Sequence, residues 1–299
     1  MRIAVTGASG FCGAQVARAA AARGAEVRCL GRRPGPVGRH VYWDATAGRP
    51  DLGDADLVVH CAAAVADLPP GSPGADRQHA VNVGGTAHLL RAAAGRPVVW
   101  VSSASVYDPR TTGAPIREDH PTAGGHLNAY GRTKAAGERL ALAAGAVVLR
   151  PRAVYGPGDP HLVPALLARV RHGVLPLPGR DVTLSLTAVQ NLADACLAAA
   201  GLTAAGGRGP GWPPGAYNIA DAHPYRRDDA VRRVLLAHGV RARIVHLPLR
   251  VARAAARTGR VPGLTRYAVD QVSRSVVLDL TRARATGWRP ARDLDDQSW

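Results

Sequence analysis

Eight residues near the start of the chain constrain its fold more than any other stretch. Residues 6–13 read TGASGFCG, so Gly7, Gly10 and Gly13 recur at every third position. The preceding residues 2–6 (RIAVT) have the apolar, β-branched texture of a strand, and residues 11–23 have a helical pattern. Glycines at a strand-to-helix turn let the chain reverse tightly, let the backbone approach a pyrophosphate and let the helix pack close to the strand. The diphosphate then sits on the free N–H groups of the helix N-terminus. The turn therefore predicts a dinucleotide site containing Gly7, Gly10, Phe11 and Gly13. Phe11, the only Phe of the chain, is expected to pack under the turn.

The same rhythm continues through the first half. Further strands are expected at residues 26–30, 56–60, 97–102 and 147–150, and helices at 77–94 and 129–143. Short apolar strands alternating with helices indicate an α/β fold, a doubly wound parallel sheet of Rossmann type covered on both faces. After Pro151, Pro and Gly become frequent. Residues 1–160 are expected to form the NADP-binding domain, and 161–299 mainly a smaller C-terminal substrate domain, with part of 180–220 returning to the Rossmann sheet. Residues 162–170 and 228–238 look helical. The run GGRGPGWPPG at 206–215 is expected to be a mobile surface loop.

The end of the second strand selects the cofactor. An NAD site usually places a carboxylate there, on the ribose 2′-OH. This chain reads Cys29-Leu30-Gly31-Arg32-Arg33-Pro34, with no carboxylate. Arg32 and Arg33 stand where a 2′-phosphate would lie, and guanidinium matches phosphate bidentately. NADP(H) is therefore expected in preference to NAD(H).

Composition sharpens one further position. Lys plus Arg is 38 against 22 Asp plus Glu, a formal charge of +16, yet Lys134 is the single lysine. Such an Arg-rich, Ala- and Gly-rich chain reflects GC-rich codons, so much of the charge is background. A lysine that survives that bias points to chemistry Arg cannot supply. It lies in YGRTK, four residues after Tyr130, on one face of a helix. A free phenol has a pKa near 10, and a neighbouring ammonium is expected to lower it.

With these residues in view, the chain resembles the short-chain dehydrogenase/reductase superfamily in its extended form, the NAD-dependent epimerase/dehydratase family. TGASGFCG and YGRTK match its two defining motifs. Asp44 matches the Asp that contacts adenine. His60-Cys61-Ala62-Ala63 matches its HxAA, and Val81 to Thr86 (VNVGGT) its VNVxGT helix. SSASVY at 102–107 matches the strand bearing the catalytic Ser or Thr, which selects Ser103. LRPRAVYGPG at 149–158 matches the segment beside the nicotinamide, and DLTRARATGWRP at 279–290 a signature of the substrate domain. VQNLADA at 189–195 and PGLTR at 262–266 look like the 3β-hydroxysteroid-dehydrogenase-like branch. Asp108 departs from the family, where Gly is usual.

The resemblance implies catalytic Ser103, Tyr130 and Lys134. It implies cofactor contacts from Ala62, Ala63, Asn82, Ser102, Lys134 and Pro151 besides the turn, the two arginines and Asp44. Family position alone suggests Ser105, Arg152, Tyr155 and His161 on the substrate side. The expected reaction moves hydride between nicotinamide and a carbonyl or hydroxyl carbon of a small molecule, with Tyr130 exchanging the proton. A nucleotide-sugar epimerase, dehydratase or 4-ketoreductase is the alternative. A catalytically inactive redox sensor or nucleic-acid-binding Rossmann protein suits the charge but not the intact Ser–Tyr–Lys set.

Other classes are disfavoured. No apolar run is long enough for a membrane span, and MRIAVTGASG lacks the apolar core of a secretory leader. Cys12, Cys29, Cys61 and Cys196 form no CxxC, and the histidines form no ligand motif. Reduced thiols, a cytoplasmic location, no metal and no specific nucleic-acid partner are expected. A homodimer is compatible with the sequence.

Overall fold

A computed structural model describes residues 1–110, 115–259 and 263–297. Pro262 of the PGLTR segment lies outside them.

Seven parallel strands form the central sheet. They are β1 (Arg2–Thr6), β2 (Glu26–Gly31), β3 (Arg39–Tyr42), β4 (Leu57–His60), β5 (Val98–Val101), β6 (Val147–Pro151) and the strand Gly215–Ile219. The order across the sheet is β3-β2-β1-β4-β5-β6-(Gly215–Ile219). Winding runs one way from β1 to β3 and the other way from β4 outward. The crevice at such a reversal is where ligands bind in doubly wound sheets. Alternate residues of each strand face opposite layers. Ile3, Val5 and Val59 pack with helix α1 (Phe11–Ala22) and the helix Val189–Ala199. Ala4, Val58, Trp100 and Val148 pack on the other face, against Leu89 and Ala141.

Two features differ from the sequence expectation. Residues 77–94 are not one α-helix. They follow helix α2 (Pro73–His79), a π-helical turn Ala80–Gly85 and helix α3 (Thr86–Ala93). The wide turn is braced by Asn82 and Thr86: the Thr86 hydroxyl donates to the Asn82 carbonyl at 2.8 Å. The Gly/Pro run at 206–215 is not a loop free of the core. Trp212 is buried, 4.9 Å from the Tyr217 ring and 6.2 Å from Trp288. Burying one large aromatic surface anchors the glycines around it. The run ends in the seventh strand, which falls within the 180–220 stretch.

Helix α4 (Ala129–Ala143) is fixed to the sheet by a buried ion pair. Arg150 of β6 donates to Glu138 at 2.6 Å, and the two side chains are only 4% and 2% exposed. Arg150 also donates to the Tyr107 hydroxyl (2.9 Å), which donates to Asn218 (2.6 Å) on the seventh strand. The Ser102 hydroxyl at the end of β5 completes the Glu138 shell.

The remaining chain builds smaller layers. Val174–Pro178 pairs in parallel with Arg243–Leu247. Tyr155, Val163, Leu184, Ala230 and Val234 form a separate apolar cluster. The helix Arg266–Ser273 lies over the Ser105 turn, which its Tyr267 touches. Among the described residues, no helix is long and apolar enough to cross a membrane.

Removing one member of the Glu138–Arg150 pair strands the other charge in the interior. Arg150→Met is expected to cost about 3–5 kcal/mol in urea denaturation, and Glu138→Met/Arg150→Met to recover most of it.

Candidate active site

The glycine turn is a cradle that only glycines can form. Gly7 has φ +67°, and a Cβ there would lie 2.7 Å from the Ala62 nitrogen. A Cβ on Gly13 would lie 2.3 Å from the Gly7 carbonyl oxygen. Gly10 caps α1 in extended conformation with no capping side chain, and its N–H donates to Gly7 at 2.9 Å. The space above the first turn of α1 is thus kept clear of side chains, which fits a dinucleotide pyrophosphate. Phe11 is half-buried at the first helical position.

Below the cradle, a neutral histidine locks β1 to β4. His60 is buried, with Nδ1 at 2.7 Å from the Thr6 hydroxyl and Nε2 at 3.5 Å from the Thr86 hydroxyl. Burial, and next the Lys134 charge, push its pKa down to about 3. The Ala62 N–H donates to Thr6 as well (3.2 Å). Ala62 and Ala63 are half-buried beside the turn.

Arg32 and Arg33 are exposed just beyond β2. Asp44 is half-buried and accepts from the Thr46 N–H (2.9 Å) and hydroxyl (2.7 Å). Those bonds, with Arg32 and Arg77 adding charge, hold its carboxyl below the usual range. Asn82 has its polar atoms engaged within the protein: its Oδ1 accepts from Ala64 N (2.8 Å), and its Nδ2 donates to Ala64 O (3.1 Å) and Thr133 (3.0 Å). It positions α4 and the loop after β4. Ser102 likewise spends its hydroxyl on Glu138. Pro151 is buried at the end of β6, opposite Ile219.

Helix α4 begins at Asn128, whose side chain accepts from the Gly131 N–H at 2.9 Å. A Cβ on Gly131 would lie 2.7 Å from the Ser105 carbonyl oxygen, so this helix start presses on the turn carrying Ser103 and Ser105. The Ser103 hydroxyl donates to Ser105 (3.1 Å), and Ser105 Oγ lies 2.7 Å from the Tyr267 hydroxyl.

The Tyr130–Lys134 pair differs electrostatically from the sequence expectation. Lys134 is buried, its Nζ donating to the Val101 carbonyl at 2.6 Å and lying 3.7 Å from the Trp100 ring centre. Burial lowers its pKa to about 7, and Glu138 is the strongest opposing charge. Burial pushes the Tyr130 phenol above its ordinary range, Tyr267 adds to that, and the opposing hydrogen bond comes from Ser103. The ammonium is committed to Val101 and Trp100, so it is Ser103, not Lys134, that counters the burial of Tyr130 here. Lys134 nonetheless adjoins the cradle, within electrostatic reach of Cys12 and Cys61.

The suggested substrate residues divide. Ser105 and Arg152 line one pocket with His126, Tyr267, Asp270 and Gln271. Tyr155 instead lies in an apolar cluster, its hydroxyl donating to Asp221 at 2.6 Å. His161 is exposed, next to the short helix Leu162–Leu167. Two participants were not picked out from the sequence. Glu138 is signalled by its position four residues after Lys134, and Tyr267 by no local pattern.

A doubly wound sheet with a glycine cradle at its first crossover defines a Rossmann nucleotide-binding protein. The NAD dependent epimerase/dehydratase family matches residues 3–220, and the chain belongs to that family. It is an enzyme of the extended short-chain dehydrogenase/reductase type. A ketoreductase of Stigmatella aurantiaca, named for 4-hydroxy-2-methyl-3-oxo-4-farnesyl-3,4-dihydroquinoline-1-oxide, is 29% identical, covering 95% of this chain and 90% of its own. A 3 beta-hydroxysteroid dehydrogenase/Delta 5-->4-isomerase of Mycobacterium tuberculosis is 33% identical over 80% of this chain and 70% of its own. A solved structure of MoeE5 with UDP-glucuronic acid and NAD shares the fold, with TM-score 0.76 and 24% identity over 99% of this chain and 97% of its own.

A desolvated lysine weakens the ligand-free fold. With its pKa near 7 folded and near 10.5 unfolded, the unfolded chain binds more protons between those values, so stability rises with pH there. Lys134→Met is expected to lose turnover yet melt higher than the parent. The gap should be widest at pH 6–7 and close towards pH 10.5, read by thermal melts.

Proposed function

We propose that the chain is an NADP(H)-dependent ketone reductase or alcohol dehydrogenase. The observation that carries this is the convergence of Ser103, Tyr130 and Lys134 beside the glycine cradle. Residues 1–160 would hold the cofactor, with the rest of the chain mainly shaping the substrate pocket. When bound, the nicotinamide supplies or takes up the hydride. Gly7, Gly10 and Gly13 would hold the pyrophosphate, Arg32 and Arg33 the 2′-phosphate, and Asp44 the adenine.

The chain's own groups handle the oxygen of the substrate. Ser103 and Tyr130 donate hydrogen bonds to the carbonyl oxygen, and Tyr130 gives up its proton as charge develops there. Burial keeps the phenol protonated at neutral pH, which suits a donor. Lys134 supplies positive charge for the phenolate that remains. A curated relative matched over 95% of this chain is itself named a ketoreductase. Four free thiols suit the reducing cytoplasm.

A nucleotide-sugar reading has its own support, since the fold is also that of MoeE5, solved with UDP-glucuronic acid. An epimerase would interconvert its substrates with no net oxidation of NADPH. A panel of ketones, steroids and nucleotide sugars, assayed with NADPH against NADH, separates the readings.

Tyr130→Phe is expected to lower kcat by about 10²–10⁴-fold with NADPH affinity preserved; full turnover by that variant would sink the reading. Arg32→Ser/Arg33→Ser is expected to weaken NADPH binding roughly ten- to hundredfold and leave NADH binding unchanged, read by nucleotide titration.

A further inference from the structure

Two helix caps meet on one carboxylate. Asp67 lies in the loop after β4. Its Oδ1 accepts from Asn128 Nδ2 at 3.0 Å, and its Oδ2 accepts from the Thr265 hydroxyl. Asn128 caps α4. Thr265 caps the helix Arg266–Ser273, its hydroxyl accepting from the Ala268 N–H at 2.9 Å. Asp67 therefore joins the start of the Tyr130 helix to the start of the Tyr267 helix, with Thr265 lying 198 residues beyond Asp67 in the sequence.

What the second helix carries gives the junction its meaning. Tyr267 lies 2.7 Å from the Ser105 hydroxyl, which is 3.1 Å from Ser103. Tyr267 thus reaches the hydroxyl chain that leads to Tyr130 and forms part of the pocket wall. The far end of its helix is held differently. Arg152 is buried and donates to the Gln271 carbonyl (2.8 Å) and the Ser185 carbonyl (2.9 Å). One end is pinned by a buried guanidinium and the other by an exposed carboxylate. An exposed tie competes with water and yields first.

We propose that Asp67 is a positioning residue that clamps the helix Arg266–Ser273 onto the catalytic helix, so that Tyr267 covers the pocket and occupies Ser105 until a substrate oxygen displaces it. The consequence for selectivity rests on the carbonyl reading above. A bulky ketone must lift the Thr265 end of the helix, and the clamp opposes that.

The test uses the full chain with Asp67→Ala and Asp67→Asn. The second variant keeps the size of the side chain and one acceptor, should the first fail to fold. Amide hydrogen exchange over residues 266–273 is expected to quicken roughly three- to tenfold in both, with α1 unchanged. With NADPH, the ratio of kcat/KM for a bulky ketone to that for a small one is expected to rise by a similar factor, through KM more than kcat. Unchanged exchange over 266–273 in both variants overturns the clamp. Quickened exchange with an unchanged ratio overturns its role in selectivity. A parent chain that turns over no carbonyl with either nicotinamide, while the variants show the exchange shift, overturns the reductase reading and leaves the clamp standing.

Discussion

The buried Glu138–Arg150 pair is the interaction on which the geometry of the site depends. Two charges leave water only where their remaining donors and acceptors are met, and here Ser102, Tyr107 and the Glu118 carbonyl meet them. The partners come from β5, β6, α4 and the loop between, so the rotation of α4 about its axis is determined. Tyr130, Lys134 and Glu138 follow one another at four-residue intervals along that helix. Once Glu138 is fixed on Arg150, Lys134 is directed at the end of β5, and Tyr130 stands one turn earlier, against the Ser103 turn. A structural ion pair thereby aims the residues proposed to do the chemistry.

The same logic revises the meaning of the arginine-rich composition. Arg150, Arg152 and Arg227 are all buried, and each donates to main-chain carbonyls: Glu118; Ser185 and Gln271; Pro178 and Val272. Gln271 and Val272 stand in the last turn of the helix Arg266–Ser273, where carbonyls lack an intrahelical partner, and buried carbonyls need donors. A planar guanidinium can serve two segments at once. Part of the positive charge that looks like codon background is therefore structural. Arg32 and Arg33 instead remain exposed just beyond β2.

The sequence showed most where interactions are local. The glycine turn, five of the seven parallel strands and the bounds of α4 follow from periodicity and turn chemistry within a dozen residues. Ser103, Tyr130 and Lys134 were legible as candidates because short motifs carry them. Tyr267 was not, because it reaches Ser105 across 162 residues and its own helix gives no sign of facing a site. Tyr155 is the opposite case, a candidate suggested by family position. Its neighbourhood suggests a loop beside the nicotinamide, but Asp221, 66 residues on, takes its hydroxyl into the interior. Trp212 shows a third case, in which a glycine-rich run looks mobile until one aromatic finds Tyr217 and Trp288. Each is a long-range contact with no local signature.

Burial moves the two central titratable groups towards their neutral forms. It holds the proton on Tyr130 and loosens the proton on Lys134 to a pKa of about 7. A protonated phenol is ready to donate, which suits the carbonyl reduction proposed above. Loss of that proton leaves an anion in the same desolvated space, and Ser103 alone offsets little of the cost. The chain's single lysine is the positive group poised one helical turn away. Its ammonium is held by a backbone carbonyl and an aromatic face, with Glu138 the strongest charge acting on it. An arginine, protonated under all conditions and forked, would not fit a point contact between Val101 and the Trp100 ring. That contact is one a lysine can make in a chain that otherwise uses arginine.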